Sequence, residues 1–156
     1  MRKFFLTVGF SGLSPKAPGT VGSIVALVLA MLLLQVISLS TLFLLAILIS
    51  VFAVKQIDIY EKEVGAHDGS EIVIDELAGM WIALAIASAT ADNYIIAGLA
   101  FVYFRLFDIW KPSLIGKIDR DVKGGWGVMG DDMLAGLFAG LSTSMTYFLL
   151  LKYNIL

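Results

Sequence analysis

The chain has 156 residues, 59% of them hydrophobic and 15% charged, with a formal net charge of −2 and a mean hydropathy of +0.91. Such values argue against an ordinary soluble domain, and the lack of a separate basic arm argues against nucleic acid as a partner. Cysteine is absent, which removes disulfides, thiolate metal sites and cysteine-nucleophile chemistry together.

Residues 1–10 have the basic and apolar flavour of a signal peptide, but Thr7 and Gly9 interrupt the run and no small-residue cleavage site follows. They read as a retained interfacial segment. Residues 21–54 carry no charge over 34 positions, too many for one crossing, since about 20 suffice. The polar cluster Ser38, Ser40 and Thr41 marks a break, which predicts a first span over 21–37 and a second over 42–57. A third span is predicted over 75–90, a tight turn at Asp92 and Asn93, a fourth span over 94–110 and a fifth over 132–151. The expected fold is all-α: a single domain over 1–156, a polytopic membrane bundle of about five spans with active-site loops on the cytoplasmic side.

With the N-terminus inside, Arg2, Lys3, Lys16, Lys55, Lys62, Arg105, Lys111, Lys117, Arg120 and Lys123 all fall on the inner face and Lys152 alone falls outside. That asymmetry is a strong positive-inside signal. Trp81, Tyr94, Trp110, Tyr147 and Tyr153 suit interfacial anchoring or plain packing equally. Outer connections are short, whereas the inner ones, near 58–74 and 111–131, are long and rich in Gly, Asp and Lys. Long loops gathered on one face usually carry the function.

Asp75, Gly79, Ala83 and Ala87 recur at steps of four, which puts a carboxylate at the head of a stripe where another helix can approach closely. Asp132, Gly136 and Gly140 repeat the design, and Gly22, Ala26 and Ala30 give the first span its own stripe. Asp75 and Asp132 are therefore expected to point into the bundle, with Glu76 and Asp131 reaching the same place from the helix ends. Capping of helix N-termini would explain either acid alone. It does not explain two acidic pairs together with Glu71 and Asp108 at one depth, because ionisable groups facing a bundle at the bilayer boundary are costly unless paired or metal-bound.

Carboxylates clustered without His or Cys form the ligand set of a hard divalent cation, and Mg²⁺ is the usual choice when phosphate completes its coordination. The expected metal ligands are Asp75, Glu76, Asp131, Asp132 and Glu71. Arg105 lies one turn before Asp108 and can grip a phosphate in a bidentate way, while Lys111, Lys117, Arg120 and Lys123 follow in a basic loop of a kind that more often attracts anionic lipid or is simply solvated than forms a site. The stretch from Ser14 to Ser23, with Lys16, Thr20 and Ser23, enters the first span through a Gly- and Pro-rich turn whose free N–H groups suit an anion. It lacks the Gly-Lys-Ser/Thr of a Walker A loop. His67, the one histidine, reads as a surface or supporting group, because no triad partner marks it as a nucleophile.

Four blocks then resemble the phosphatidylglycerophosphatase A family, in order along nearly the whole chain. They are Gly12-Leu-Ser-Pro-Lys-Ala-Pro-Gly-Thr-Val-Gly-Ser23, Glu71-Ile-Val-Ile-Asp-Glu-Leu-Ala-Gly-Met-Trp81, Arg105-Leu-Phe-Asp-Ile-Trp-Lys-Pro112, and Gly124-Gly-Trp-Gly-Val-Met-Gly-Asp-Asp-Met-Leu-Ala-Gly136. The resemblance implies Mg²⁺-dependent hydrolysis of phosphatidylglycerophosphate to phosphatidylglycerol and inorganic phosphate, on the cytoplasmic leaflet of the bacterial inner membrane. On this reading Asp75, Asp132, Asp108 and Arg105 are catalytic, with water activated by metal in the carboxylate cluster. Lys16, Thr20, Ser23, Arg105, Lys111 and Lys117 bind substrate. The roles of Asp119, Arg120 and Asp121 stay open, as does homo-oligomerisation through the small-residue stripes. Two rivals are a small ion-coupled transporter, disfavoured because the middles of the predicted spans are uncharged, and a non-catalytic scaffold, which leaves the acids unexplained.

Overall fold

A computed structural model describes residues 1–65 and 69–155, so His67 lies outside the described residues. Among those residues the regular structure is entirely helical. The α-helices are α1 (Arg2–Leu6), α2 (Pro18–Leu33), α3 (Leu39–Val64), α4 (Ile74–Ile86), α5 (Tyr94–Trp110), α6 (Leu114–Asp121) and α7 (Gly125–Lys152), with a single 3-10 turn at Ser11–Leu13.

Local chemistry sets the boundaries. Pro18 opens α2, where a missing N–H costs nothing. The hydroxyl of Ser38 accepts from the Thr41 amide and starts α3, the Asn93 side chain accepts from the Ile96 amide and starts α5, and Gly65 ends α3 in the left-handed conformation. The first helical amide of α7, that of Gly125, donates to the Asp58 carboxylate across the bundle at 2.7 Å. This cap explains why α7 begins seven residues before the predicted fifth span. The Gly-rich run 124–130 reads as loop by composition, yet it is helical from Gly125 onward, with that first amide satisfied by a tertiary contact.

Helix α4 is the axis. Ten of its 13 residues are buried, and it packs against α2, α3, α5 and α7. The predicted stripes meet as expected: a Cβ added to Gly136 would lie 2.2 Å from the Gly79 carbonyl oxygen, and one added to Gly140 would lie 2.8 Å from the Ala83 carbonyl oxygen. Backbones this close gain dispersion contacts, which is how helices associate where lipid removes the hydrophobic drive between them. Gly22 seats on Val73, and the Trp81 indole donates to the Ala26 carbonyl oxygen at 2.9 Å. Trp81 is thus internal packing rather than an interfacial anchor, and Tyr147 accepts from Asn93. Tyr94, Trp110 and Tyr153 remain exposed.

The exterior is apolar as well. Leu44, Leu48, Val51 and Phe52 on α3, and Leu141, Met145 and Phe148 on α7, are all exposed, an inversion that suits lipid as solvent. Among the described residues two helices, α3 and α7, are long and apolar enough to cross a membrane. The other long helices are shorter: α2 has 16 residues, α5 17 and α4 13. Thirteen residues rise only about 20 Å, less than the ~30 Å hydrocarbon core. The N-terminal segment docks on the bundle, with Arg2 paired to Glu63 at 2.5 Å and bonded to Gln56, while the Val73 amide donates to the Leu6 carbonyl oxygen at 2.9 Å.

Candidate functional site

The N-terminal ends of α2, α4 and α7 and the C-terminal end of α5 converge on a cavity of about 260 Å³. Its wall carries Asp75 and Glu76 from the first turn of α4, Asp108 from the last turn of α5, Lys111 just beyond that helix, and Asp131 and Asp132 from α7. Carboxylate oxygens of Asp75, Glu76 and Asp132 lie within 4.8 Å of one another. Asp132 is 3% exposed and Asp75 9%. Sequence spacing predicted this meeting, because α4 and α7 pack glycine to glycine directly behind the two acidic pairs.

Three acidic side chains this close and this buried repel one another unless cations share the space. Part of the compensation is local. The Asp75 carboxylate accepts from the Glu76 amide at 3.0 Å. The Arg105 guanidinium pairs with Asp108, lies 4.0 Å from Glu76 and donates to the Ser23 hydroxyl at 3.3 Å. Ser23 in turn donates to the Gly19 carbonyl oxygen at 2.8 Å. At Gly19 the backbone comes so near the acids that a Cβ would sit 2.3 Å from Glu76 Oε1, so the entry to α2 is part of the cavity wall.

Much capacity is left over. Glu76 Oε2, Asp131 Oδ1, Asp132 Oδ2 and Arg105 Nε are buried with no hydrogen-bond partner among the described residues. Buried, unpartnered carboxylate oxygens on Glu76 and Asp132, both members of the close group of three, in a donor set of oxygen only, fit a hard divalent cation. The buried, unsatisfied guanidinium N–H fits an anion.

Lys111 spans between Asp131 Oδ2 at 2.7 Å and Asp119 Oδ1 at 2.5 Å. Burial alone would lower its pKa, but the hydrogen bonds to Asp119 and Asp131 outweigh this and hold the ammonium above its ordinary value. It is therefore a fixed cation at neutral pH.

The other residues expected at the site are distributed as follows. Asp131 lines the cavity but is engaged by Lys111 and stands apart from the group of three. Glu71 turns to α3, where its carboxylate accepts from the Tyr60 hydroxyl at 2.6 Å. Ser23 is buried against Arg105. Thr20 is half-buried on α2, one residue past the glycine that faces Glu76, while Lys16 and Lys117 are exposed and outside the cavity wall. Arg120 is exposed on α6, and Asp119 reaches Lys111. Sequence reasoning missed the closeness of Gly19 to Glu76, the Asp58 cap and the Tyr60 bond. For each the signal is a long-range contact that no spacing rule encodes.

Comparison with known proteins follows from the same segments. The profile of the phosphatidylglycerophosphatase A family matches residues 4–147. The chain is 42% identical over 147 residues to phosphatidylglycerophosphatase A of Escherichia coli K12, covering 92% of this chain and 81% of that one. It is 36% identical to phosphatidylglycerophosphatase A of Haemophilus influenzae, covering 86% and 82%. A Bacteroides thetaiotaomicron protein named provisionally as a phosphatidylinositol-3-phosphatase is 39% identical, covering 83% and 82%. No solved structure matches.

Proposed function

The chain belongs to the phosphatidylglycerophosphatase A family, and on that premise we propose that it is a Mg²⁺-dependent lipid phosphatase converting phosphatidylglycerophosphate to phosphatidylglycerol and inorganic phosphate. The observation that carries the reading is one cavity lined by the oxygen cluster of Asp75, Glu76 and Asp132 and by the cation Lys111, with the Arg105 guanidinium 4.0 Å from Glu76 at its edge.

Charge explains why a divalent ion belongs there. Five carboxylates line the cavity, with Lys111 in its wall and Arg105 abutting Glu76, so the formal balance is three negative charges. A divalent ion cuts that balance to a single negative charge, which lessens the repulsion of a phosphate dianion. Asp75, Glu76 and Asp132 would hold the ion, with Asp131 at its edge. When bound, the cation supplies charge neutralisation and lowers the pKa of coordinated water.

The protein's own groups act separately. Arg105, with its unpartnered Nε, and Lys111 hold the non-bridging phosphate oxygens and oppose the charge that spreads over them as the bond to phosphorus changes. Asp108 and Ser23 fix the guanidinium in place. Water adds to phosphorus, the P–O bond to the lipid glycerol breaks, and a proton given up by the water ends on the departing oxygen, so that the alcohol and hydrogen phosphate are released. Gly19 and Pro18 close the wall behind the headgroup.

The same reading gives a multi-pass protein of the bacterial inner membrane, with α2, α3, α4, α5 and α7 as five crossings and the cavity at the cytoplasmic leaflet. The distribution of Lys and Arg supports that orientation. Short α4 is surrounded by its neighbours, so it need not itself match the bilayer thickness.

Phosphate release from phosphatidylglycerophosphate by purified protein in detergent, with and without Mg²⁺, tests the proposal. Turnover that survives complete chelation overturns the metal assignment. Faster turnover of phosphatidylinositol 3-phosphate would shift the substrate towards that in the Bacteroides relative's name.

A further inference from the structure

One contact outside the cavity bears on this phosphatase reading and rests on it. Lys111 ends α5 in the left-handed region, at φ 45°, a conformation that costs a lysine energy and is kept where the surroundings enforce it. Its carbonyl oxygen is pressed against α6: a Cβ on Gly116 would lie 2.6 Å from it. The backbone is thus held from both sides, and the remaining freedom is in the four-carbon side chain.

An ammonium has three donors. Two are taken, by Asp131 Oδ2 in the cavity wall and by Asp119 Oδ1 on α6. The two acids are not equivalent. The Asp131 side chain is 6% exposed and that of Asp119 35%, and Asp119 does not line the cavity that Lys111 lines. With Asp131 alone, a flexible lysine would collapse onto that buried carboxylate, because the Coulomb attraction there is little screened. A second carboxylate, carried by a different helix, divides the pull, and two acids occupy only two of the three donors.

We propose that Asp119 is a positioning residue, which acts on the bound phosphate solely by holding the Lys111 ammonium between α6 and Asp131. This gives helix α6 a purpose. Short and amphipathic, with Ile115 buried and Lys117 and Arg120 exposed, it delivers a carboxylate to the back of the phosphate-binding lysine.

Kinetics of Asp119→Asn and Asp119→Glu, each also made in a Lys111→Gln background, test the idea. Asp119→Asn should raise KM for the lipid phosphomonoester and the inhibition constant of inorganic phosphate about tenfold, the size expected for one charge-assisted hydrogen bond. The value of kcat should fall as well, by no more than about the same factor, because the displaced ammonium also opposes transition-state charge. Asp119→Glu should recover most of the loss, and adding Asp119→Asn to Lys111→Gln should do nothing more. A loss of the same factor in both backgrounds, or a loss confined to kcat, overturns the proposal. A readout independent of turnover is acylation of Lys111 in the folded protein, followed by mass spectrometry. Asp119→Asn should speed it several-fold, and an unchanged rate overturns the proposal. Absence of wild-type turnover would instead remove the phosphatase reading, leaving the labelling to decide whether Asp119 holds Lys111.

Discussion

Gly136 of α7 rests on the carbonyl oxygen of Gly79 of α4, with only 2.2 Å between that oxygen and the place a Cβ would occupy. Asp132 lies one turn before Gly136, and Asp75 one turn before Gly79, so the depth of this backbone contact sets the separation of the two acids. Gly136→Ala should therefore act twice. It forces the helices apart, at a cost of about 1–3 kcal/mol or more, and it pulls Asp132 away from Asp75 and Glu76. The expected result is a lower Tm in detergent together with a raised Mg²⁺ requirement. An alanine variant with wild-type Tm and metal dependence would show that this contact does not fix the site.

Neutralising one acid of the cluster should separate stability from activity. Asp75→Asn or Asp132→Asn removes a negative charge from a set of three buried carboxylates within 4.8 Å. In the metal-free protein, relief of that repulsion should leave Tm unchanged or raise it. Activity should fall by at least about a hundredfold, on the scale of removing a group that organises the reacting centre. Mg²⁺ should stabilise the wild type, because a ligand that binds only the folded state raises Tm with its concentration. In both variants that rise should shrink or vanish, and thermal melts over a Mg²⁺ series read it directly. A full wild-type rise in either variant would take that residue out of the metal shell.

Arg105→Lys keeps the charge and loses the fork. The guanidinium contacts Asp108, Ser23 and Glu76 from one end and leaves Nε free, an arrangement that a single ammonium cannot reproduce. If Arg105 holds the phosphate as proposed, in the ground and the transition state alike, activity should drop about tenfold to a hundredfold, with the loss shared between kcat and KM. Arg105→Lys with wild-type kinetics would restrict the guanidinium to pairing Asp108.

How far the site could be read from sequence depends on the range of the contacts. The small-residue stripes at steps of four gave both the facing of α4 and α7 and the inward direction of Asp75 and Asp132, because helical periodicity is a local property. Arg105 and Asp108 were legible for the same reason, one turn apart on α5. The early start of α7 was not, since Gly124 and Gly125 favour loop and the helix depends on Asp58, far away in sequence on α3. Lys111 was legible as a cation. Its tie to Asp119 depends on how α6 folds back after Pro112, which composition does not encode.

Glu71 is the acid whose expected place among the metal ligands and whose observed partner differ most. Its carboxylate accepts from Tyr60 at 2.6 Å, and it is absent from the group formed by Asp75, Glu76 and Asp132. If that bond is its role, Glu71 fastens the segment entering α4 to the C-terminal end of α3. Tyr60→Phe and Glu71→Gln should then look alike: each loses about 1 kcal/mol for one charge-assisted bond at a partly exposed position, and each keeps most of its activity. The concentration of Mg²⁺ giving half-maximal turnover is the deciding measurement. A tenfold rise in Glu71→Gln without a matching rise in Tyr60→Phe would return Glu71 to the metal ligands, and it would mean that the carboxylate leaves Tyr60 when the ion binds.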